Sequence, residues 1–157
     1  MPDTTLMALK AAGARVRAEG SLIEAGVDTA ILKRCALVLR DAGMYPVFMT
    51  AVHTEAGFML CYQFALWDSP CRVLVSTPAK NDGRAVSLTP LFPGLQWHER
   101  EARDMFGIIF ENHPDLRPLL LCDEDRDLQP LRKDPARLKT PEQLTRAEHT
   151  DPDEQAP

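Results

Sequence analysis

At residues 97–107 the chain reads WHEREARDMFG, a run in which acidic and basic side chains alternate around a few apolar ones. The apolar side chains recur at helical spacing, and with one preceding leucine they form a single face. That face comprises Leu95, Ala102, Met105 and Phe106. Gly107 supplies a left-handed stop, as glycine often does after a helix. The stretch therefore predicts a helix over about residues 95–106, with one face that covers a sheet.

Opposite charges lie four residues apart in this predicted helix. Glu99 can pair with Arg103, and Arg100 can pair with Asp104. Ordinary pairs of this kind on a helix surface contribute about 0.3–0.5 kcal/mol each. The simplest interpretation is a solvated helix face with alternating charges, and the alternative is a surface matched to a partner.

A helix-and-strand pattern also precedes this stretch. A short strand is predicted over residues 22–27, and Asp28 has the side chain of a helix N-cap. Apolar residues then recur at helical spacing over residues 29–42, and Gly43 follows as a stop. This segment predicts a strand followed by an amphipathic helix.

Strand signals follow this helix. The predicted strands cover residues 46–52, 58–67 and 72–76. The connection over residues 54–57 suits a hairpin, and Asn81-Asp82-Gly83 predicts a turn after which residues 85–88 pair back onto the sheet. The predicted fold is therefore α+β, a two-layer domain with helices on an antiparallel or mixed sheet.

The C-terminal segment differs from this body. No aromatic residue follows Phe110, and residues 123–157 carry ten acids and six bases, a balance of −4 out of the chain's −5. Prolines interrupt the segment, which has too little apolar surface to build a core of its own. We expect an α+β domain over residues 1–122 and an extended polar arm over residues 123–157. The end of the arm is expected to be disordered, and the rest to be disordered or to lie on another protein.

Composition excludes several classes of function. With 18 basic and 23 acidic residues interleaved, the chain has no basic stripe to follow nucleic-acid phosphates. No apolar run approaches the roughly 18 residues needed to insert into a membrane, and the N-terminus lacks a secretion signal. We therefore expect a cytoplasmic protein that binds no nucleic acid.

Catalytic and metal-binding motifs are missing from the sequence. The four cysteines are scattered rather than paired, so we expect no metal and no cofactor in this chain. The sequence lacks H-E-x-x-H, G-x-S-x-G and phosphate-loop motifs. Glu99, Glu101 and Asp104 could in principle form an acid–base pair, but neighbouring arginines favour fixed ion pairs. We expect no stand-alone enzyme and no catalytic residue.

Three motifs in order carry a resemblance to a known family. They are the run from Trp97 to Phe110, His113-Pro114-Asp115-Leu116-Arg117, and Pro130-Leu131-Arg132-Lys133-Asp134. In this order and spacing the chain resembles the 30 kDa subunit family of respiratory NADH-quinone oxidoreductase (complex I). The same module occurs in energy-converting NiFe hydrogenases and in formate hydrogenlyase.

The resemblance implies a non-catalytic subunit on the cytoplasmic side of the inner membrane. It implies docking on a large 49 kDa-type or NiFe-hydrogenase-like subunit, next to a small iron–sulfur subunit, with the clusters and any nickel in those partners. The motif residues to which it gives docking or interface-shaping roles are Trp97, Glu99, Arg100, Glu101, Asp104, Gly107, His113, Pro114, Asp115, Arg117, Pro130, Leu131, Arg132, Lys133 and Asp134. Some of them could instead lock the helix to the arm. A free-standing interaction domain is the alternative function.

Overall fold

A computed structural model describes residues 2–122, 124–125 and 127–133 of the chain. These residues contain three α-helices and seven strands, with short 3-10 turns at Thr29–Ile31 and Pro93–Leu95. The helices are α1 (Pro2–Ala11), α2 (Leu32–Asp41) and α3 (Gln96–Phe106). The strands are β1 (Arg15–Glu19), β2 (Leu22–Gly26), β3 (Tyr45–Thr54), β4 (Gly57–Leu66), β5 (Ser69–Pro78), β6 (Arg84–Val86) and β7 (Ile109–Glu111).

The main sheet is mixed and has five strands in the order β1-β2-β5-β4-β3. The hairpins β1–β2, β3–β4 and β4–β5 are antiparallel, whereas β2 and β5 run parallel. The β3–β4 connection is tight because Thr54 pairs directly with Gly57, whose φ of 106° is accessible to glycine at low cost. This confirms the predicted hairpin and the α+β class.

Helix α2 packs into the core as its periodicity predicts. Its buried side chains are Leu32, Cys35, Ala36 and Leu39, and they join one apolar cluster with inward-facing sheet residues such as Ile23 and Val73. The side chain of Asp28 accepts a hydrogen bond from the backbone N–H of Ala30 at 2.9 Å, so it caps the 3-10 turn Thr29–Ile31 that leads into α2. The predicted capping residue is confirmed, but the α-helix itself begins three residues later than predicted, at Leu32. Gly43 has a φ of 75°, so the predicted left-handed stop is confirmed as well.

The prediction that residues 85–88 pair back onto the sheet is wrong. Strand β6 pairs in parallel with β7 instead, with Ala85 opposite Phe110. The reason is that β5 already has β2 on one edge and β4 on the other, so it has no free edge to offer. The β6-α3-β7 unit is a parallel crossover, and it places the loop after β6 and the segment after β7 beside helix α3.

Three elements are missing from the sequence-based expectations. Helix α1 and strand β1 are two of them. Four of the five β1 residues are exposed, so this strand lacks the alternating apolar pattern of a half-buried strand. Strand β7 has only three residues and follows a helix stop directly. Within the described residues no helix is long and apolar enough to cross a membrane.

Candidate docking surface

Helix α3 presents its charges differently from the predicted pattern. Glu99 and Asp104 are fully buried, each with 0% relative exposure, and neither forms the expected pair four residues away. Both predicted pairs, Glu99 with Arg103 and Arg100 with Asp104, are therefore wrong. The physical reason is that Glu99 lies between Leu95 and Ala102 at helical spacing, so it belongs to the inward face.

The carboxylate of Glu99 is held by the loop that follows β6. The hydroxyls of Ser87 and Thr89 donate to Oε2 at 2.5 and 3.0 Å, and the backbone N–H of Leu88 donates to Oε1 at 2.7 Å. Burial raises the pKa of Glu99, and these three hydrogen bonds partly offset that rise. The buried acid thereby fixes residues 87–89 against the first turns of α3.

His113 lies beside this acid. Its Nε2 is 3.9 Å from Oε2 of Glu99 and 3.2 Å from the carbonyl oxygen of Gln96. Its Nδ1 accepts the backbone N–H of Asp115 at 3.0 Å. An Nδ1 that accepts carries no proton, so the neutral ring carries it on Nε2 and donates it to Gln96. The ring joins the first turn of α3 to the segment after β7.

The carboxylate of Asp104 holds the next segment. Its Oδ2 accepts three consecutive backbone N–H groups, from Leu119, Leu120 and Leu121, at 2.8, 2.9 and 3.2 Å. Arg103 donates to Oδ1 at 2.9 Å. Burial alone would raise the pKa of Asp104, but the donated hydrogen bonds outweigh it and leave the pKa lowered. Asp104 is thus an ionised anchor for residues 119–121.

Arg100 and Arg117 complete this segment. Arg100 donates to the carbonyl oxygens of Arg117 and Pro118 at 2.9 and 2.7 Å. Arg117 in turn donates to both oxygens of Asp115, at 2.7 and 2.8 Å. This bidentate hydrogen bonding lowers the pKa of Asp115 to about 2. The HPDLR motif therefore folds back on itself and on α3.

The described part of the arm lies on the chain's own body. The N–H of Leu131 donates to the carbonyl oxygen of Met105 at 3.1 Å, and Nε of Arg132 donates to that of Phe106 at 2.9 Å. The Arg132 guanidinium also lies 5.4 Å from the ring centroid of Phe58. These contacts satisfy carbonyls at the end of α3 that have no partner within the helix.

Two further contacts fix the arm. The N–H of Lys133 donates to Nδ1 of His53 at 3.2 Å. Gly107 has a φ of 73°, and a Cβ built on it would meet the Gln129 side chain at 2.6 Å. Glycine at this position therefore allows both the helix stop and the close approach of the arm.

An open groove remains exposed on the outer side of α3. It has a volume of about 600 Å³, and Trp97, Glu101, Leu119 and Leu120 are among its lining residues. The exposed fractions are 67% for Trp97 and 61% for Leu120. Large apolar groups that stay exposed beside charged ones are typical of surfaces that meet another protein.

Most of the motif residues form two sets, and Gly107, Pro114 and Pro130 belong to neither. Those that bind within the chain are Glu99, Arg100, Asp104, His113, Asp115, Arg117, Leu131, Arg132 and Lys133. Trp97 and Glu101 line the exposed groove, Pro114 is exposed beside His113, and Pro130 lies between Gln129 and Leu131. Asp134 lies outside the described residues. The sequence does not indicate the roles of Ser87, Thr89, Leu120 and Gln129, because single hydroxyls, leucines and amides carry no motif of their own. It does not indicate that of His53 either, because its partner Lys133 lies 80 residues away in the chain.

Metal-binding groups are the last feature of the site. No cluster of three or more histidine, cysteine, aspartate or glutamate side chains in the described part of the chain is arranged to hold a metal ion.

Comparison with known proteins gives three kinds of match. The family described as respiratory-chain NADH dehydrogenase, 30 kDa subunit, matches residues 25–140. An NADH-quinone oxidoreductase subunit of Chloroherpeton thalassium is 52% identical over 56 residues, which are 36% of this chain and 23% of that protein. The corresponding protein of Brucella ovis is 42% identical over 80 residues, 51% of this chain and 39% of that protein. The matched segments thus span less than half the length of these relatives.

Solved structures share the fold. The trypsin-resistant fragment of Nqo5 superposes with a TM-score of 0.63 at 22% identity, covering 74% of this chain and 100% of that one. A chain of the membrane-bound sulfane sulfur reductase, an archaeal respiratory membrane complex, superposes with a TM-score of 0.71 at 21% identity, covering 99% and 95%. At these identities the likeness shows a common architecture.

Proposed function

Because the chain belongs to the family of the respiratory-chain NADH dehydrogenase 30 kDa subunit, we propose that it is a non-catalytic subunit of a complex I-type or related respiratory membrane complex. In this role it docks on the large subunit and stabilises it, and it sits peripherally on the cytoplasmic side of the inner membrane. The cofactors of the complex, iron–sulfur clusters and any nickel–iron site, belong to the partners.

One observation carries the proposal. The charged residues of the family-like motifs tie α3, residues 117–121 and the start of the arm into one body, as the contacts of Glu99, Asp104 and Arg132 illustrate. Their hydrogen bonds are directed inward, so these groups are poorly placed to act on a substrate. What the motifs build is a fixed outer surface with Trp97 and Leu120 exposed. A rigid surface of this kind suits a docking role.

The partner that fits best is a large 49 kDa-type or NiFe-hydrogenase-like subunit, with its small iron–sulfur subunit beside it. Support comes from the family match and from the fold shared with a chain of an archaeal respiratory membrane complex. Fixed charges and apolar groups on one face give register and orientation to such an assembly.

Affinity purification tests the proposal. An N-terminally tagged full chain is expressed in its own cells, membranes are solubilised in mild detergent, and the captured proteins are identified by mass spectrometry. We expect a large subunit in amounts close to one per tagged chain. A large subunit with two C-x-x-C pairs would indicate a nickel site, and one without them would indicate quinone reduction. Recovery of the tagged chain without any large subunit would refute the docking role.

The stabilising role needs a second measurement. Cells that lack this chain should contain less assembled complex on native gels, and re-expression of the wild-type chain should restore it. The electron-transfer activity of the membranes should fall in proportion to the assembled complex. Activity that disappears while the complex stays fully assembled would point to a catalytic role instead.

A further inference from the structure

The exposed groove contains a notch suited to one kind of partner side chain. Resting on the docking role proposed above, we propose that Trp97 and Glu101 together accept a basic side chain of the large subunit, flanked there by apolar residues. The two residues are four apart in α3, so their side chains lie one above the other on the same face of the helix.

Both residues are available for such a contact. Trp97 is 67% exposed, and Glu101 is exposed as well. Within residues 2–122, 124–125 and 127–133, Glu101 makes no hydrogen bond or ion pair, and no cation lies over the indole of Trp97. An acid next to an exposed indole offers both an ion pair and a cation–π contact to a single guanidinium or ammonium group.

The other charges of α3 are already engaged. Glu99 and Asp104 are buried and bound to the loops on either side of the helix. Arg100 donates to two backbone carbonyls, and Arg103 donates to Asp104. His98 also lines the groove, and Glu101 is the acid of this helix whose charge remains directed outward.

The walls of the groove define the surroundings of the basic group. Pro93 and Gly94 line one part, and Leu119 and Leu120 line another. Leu120 is held outward because three successive backbone N–H groups, its own among them, bind Asp104. Apolar walls exclude water when a partner docks, and this strengthens the attraction between Glu101 and a buried cation. The segment of the large subunit that complements these walls therefore has a basic residue with apolar neighbours.

A binding titration tests the notch. Membranes of wild-type cells, in which the complex has assembled, are washed with chaotropic salt to remove this chain and then mixed with increasing amounts of the purified full chain, and the bound fraction is measured. The test variants are Glu101→Gln and Trp97→Ala. The matched controls are Asp68→Asn and Trp67→Ala, an exposed acid and an exposed tryptophan outside the groove.

We expect each test variant to bind about tenfold more weakly at low salt, and the controls to bind like the wild type. Added salt should weaken wild-type binding more than Glu101→Gln binding, because the variant has lost the ion pair. Trp97, Glu101 and Asp68 are exposed, so the thermal unfolding midpoints of their variants should stay close to that of the wild type. Trp67 is exposed too but stacks on Tyr45 with ring centroids 4.4 Å apart, so a slightly lower midpoint is expected for Trp67→Ala. Test variants that bind as tightly as the wild type would refute the proposed contact of Trp97 and Glu101 with a basic side chain, and would leave the docking role intact. A wild-type chain that fails to bind would overturn both.

Cross-linking tests the chemistry of the partner directly. A photoreactive amino acid at position 120, at the edge of the notch, should capture a peptide of the large subunit that contains arginine or lysine beside apolar residues. Capture of a peptide without a basic residue would contradict the proposal.

Discussion

Oδ2 of Asp104 lies 2.8 Å from the backbone nitrogen of Leu119, and the next two backbone N–H groups bind the same oxygen. One helical carboxylate thus determines the path of a segment that has no helix or strand of its own. The contact joins a buried charge to an exposed surface, because the segment that it holds contains Leu120.

Removal of this carboxylate should cost much of the stability of the segment. In Asp104→Ala the three N–H groups lose their common acceptor, and we expect the free energy of unfolding to fall by about 2–4 kcal/mol. Urea denaturation gives the value. Asp68→Ala, at an exposed acid, is the control and should change it by less than about 0.5 kcal/mol. An Asp104→Ala chain as stable as the control would show that this anchor is unimportant.

Glu99 should give the protein a distinct pH dependence. Its pKa is raised in the folded state, chiefly by burial, so its ionisation opposes folding. The stability that it contributes is present below the ordinary glutamate pKa and is lost as the pH rises through the folded value. Relative to Glu99→Gln, the wild type should therefore become less stable as the pH rises from about 4 to about 8.

Urea unfolding of both chains across this range measures the difference. The exposed Glu101→Gln substitution corrects for the general effect of removing one negative charge. If the free energies of unfolding of the wild type and Glu99→Gln differ by the same amount at every pH, the expectation is contradicted.

Asp115 should titrate far below an ordinary aspartate. Its pKa of about 2 results first from the hydrogen bonds of Arg117, so Arg117→Gln should move the titration midpoint up toward the usual value of about 3.9. Carbon-13 NMR of the carboxyl group follows this directly. The lowered pKa means that Asp115 stabilises the fold above the ordinary value, and that this contribution is lost as the pH falls toward about 2. If the titration midpoint of Asp115 is the same in Arg117→Gln, Arg117 is not the cause of the lowered pKa.

Gly107→Ala should loosen the arm. The substituted residue would have to keep a φ of 73°, which costs about 1–2 kcal/mol, and its methyl group would displace the Gln129 side chain. Gly20→Ala is a matched control, because Gly20 also has a positive φ, of 57°, but nothing lies within 4 Å of the added methyl group. Both variants should lose similar stability in urea.

Hydrogen exchange separates the two variants. Exchange of the Leu131 and Lys133 amides should become faster in Gly107→Ala alone, because these amides bind Met105 and His53 across the arm contact. Equal exchange in the two variants would show that Gln129 moves aside without disturbing the arm.

The sequence predicts the fold well where its signals are local. Gly43 and Gly107 end helices through their own conformational preferences, and Asp28 caps the 3-10 turn that leads into α2. The error at residues 85–88 has a different origin. Whether a short strand joins the sheet depends on which edges are already occupied, and the occupation of β5 by β2 is a contact between distant segments.

The charged motif of α3 shows how far the candidate site can be predicted from the sequence. Its alternating charges are typical of ion pairs on a helix surface. Glu99, however, lies at helical spacing from Leu95 and Ala102, and this spacing indicates a position on the buried face. The acceptors and donors that bind it come from the loop after β6, and no spacing rule links Ser87 to Glu99. The exposed positions, Trp97 and Glu101, were recognised by resemblance, and their separation from the buried ones required the structure.

The parallel pairing of β2 with β5 also dictates an order of events during folding. It joins Leu22 to Arg72 and Gly26 to Ser76, whereas β4 and β5 meet through a turn of two residues. Closing the long loop costs more entropy and takes longer than forming the hairpins. The β1–β2 hairpin precedes β5 in the chain and must therefore wait for a strand made some fifty residues later before it can join the sheet.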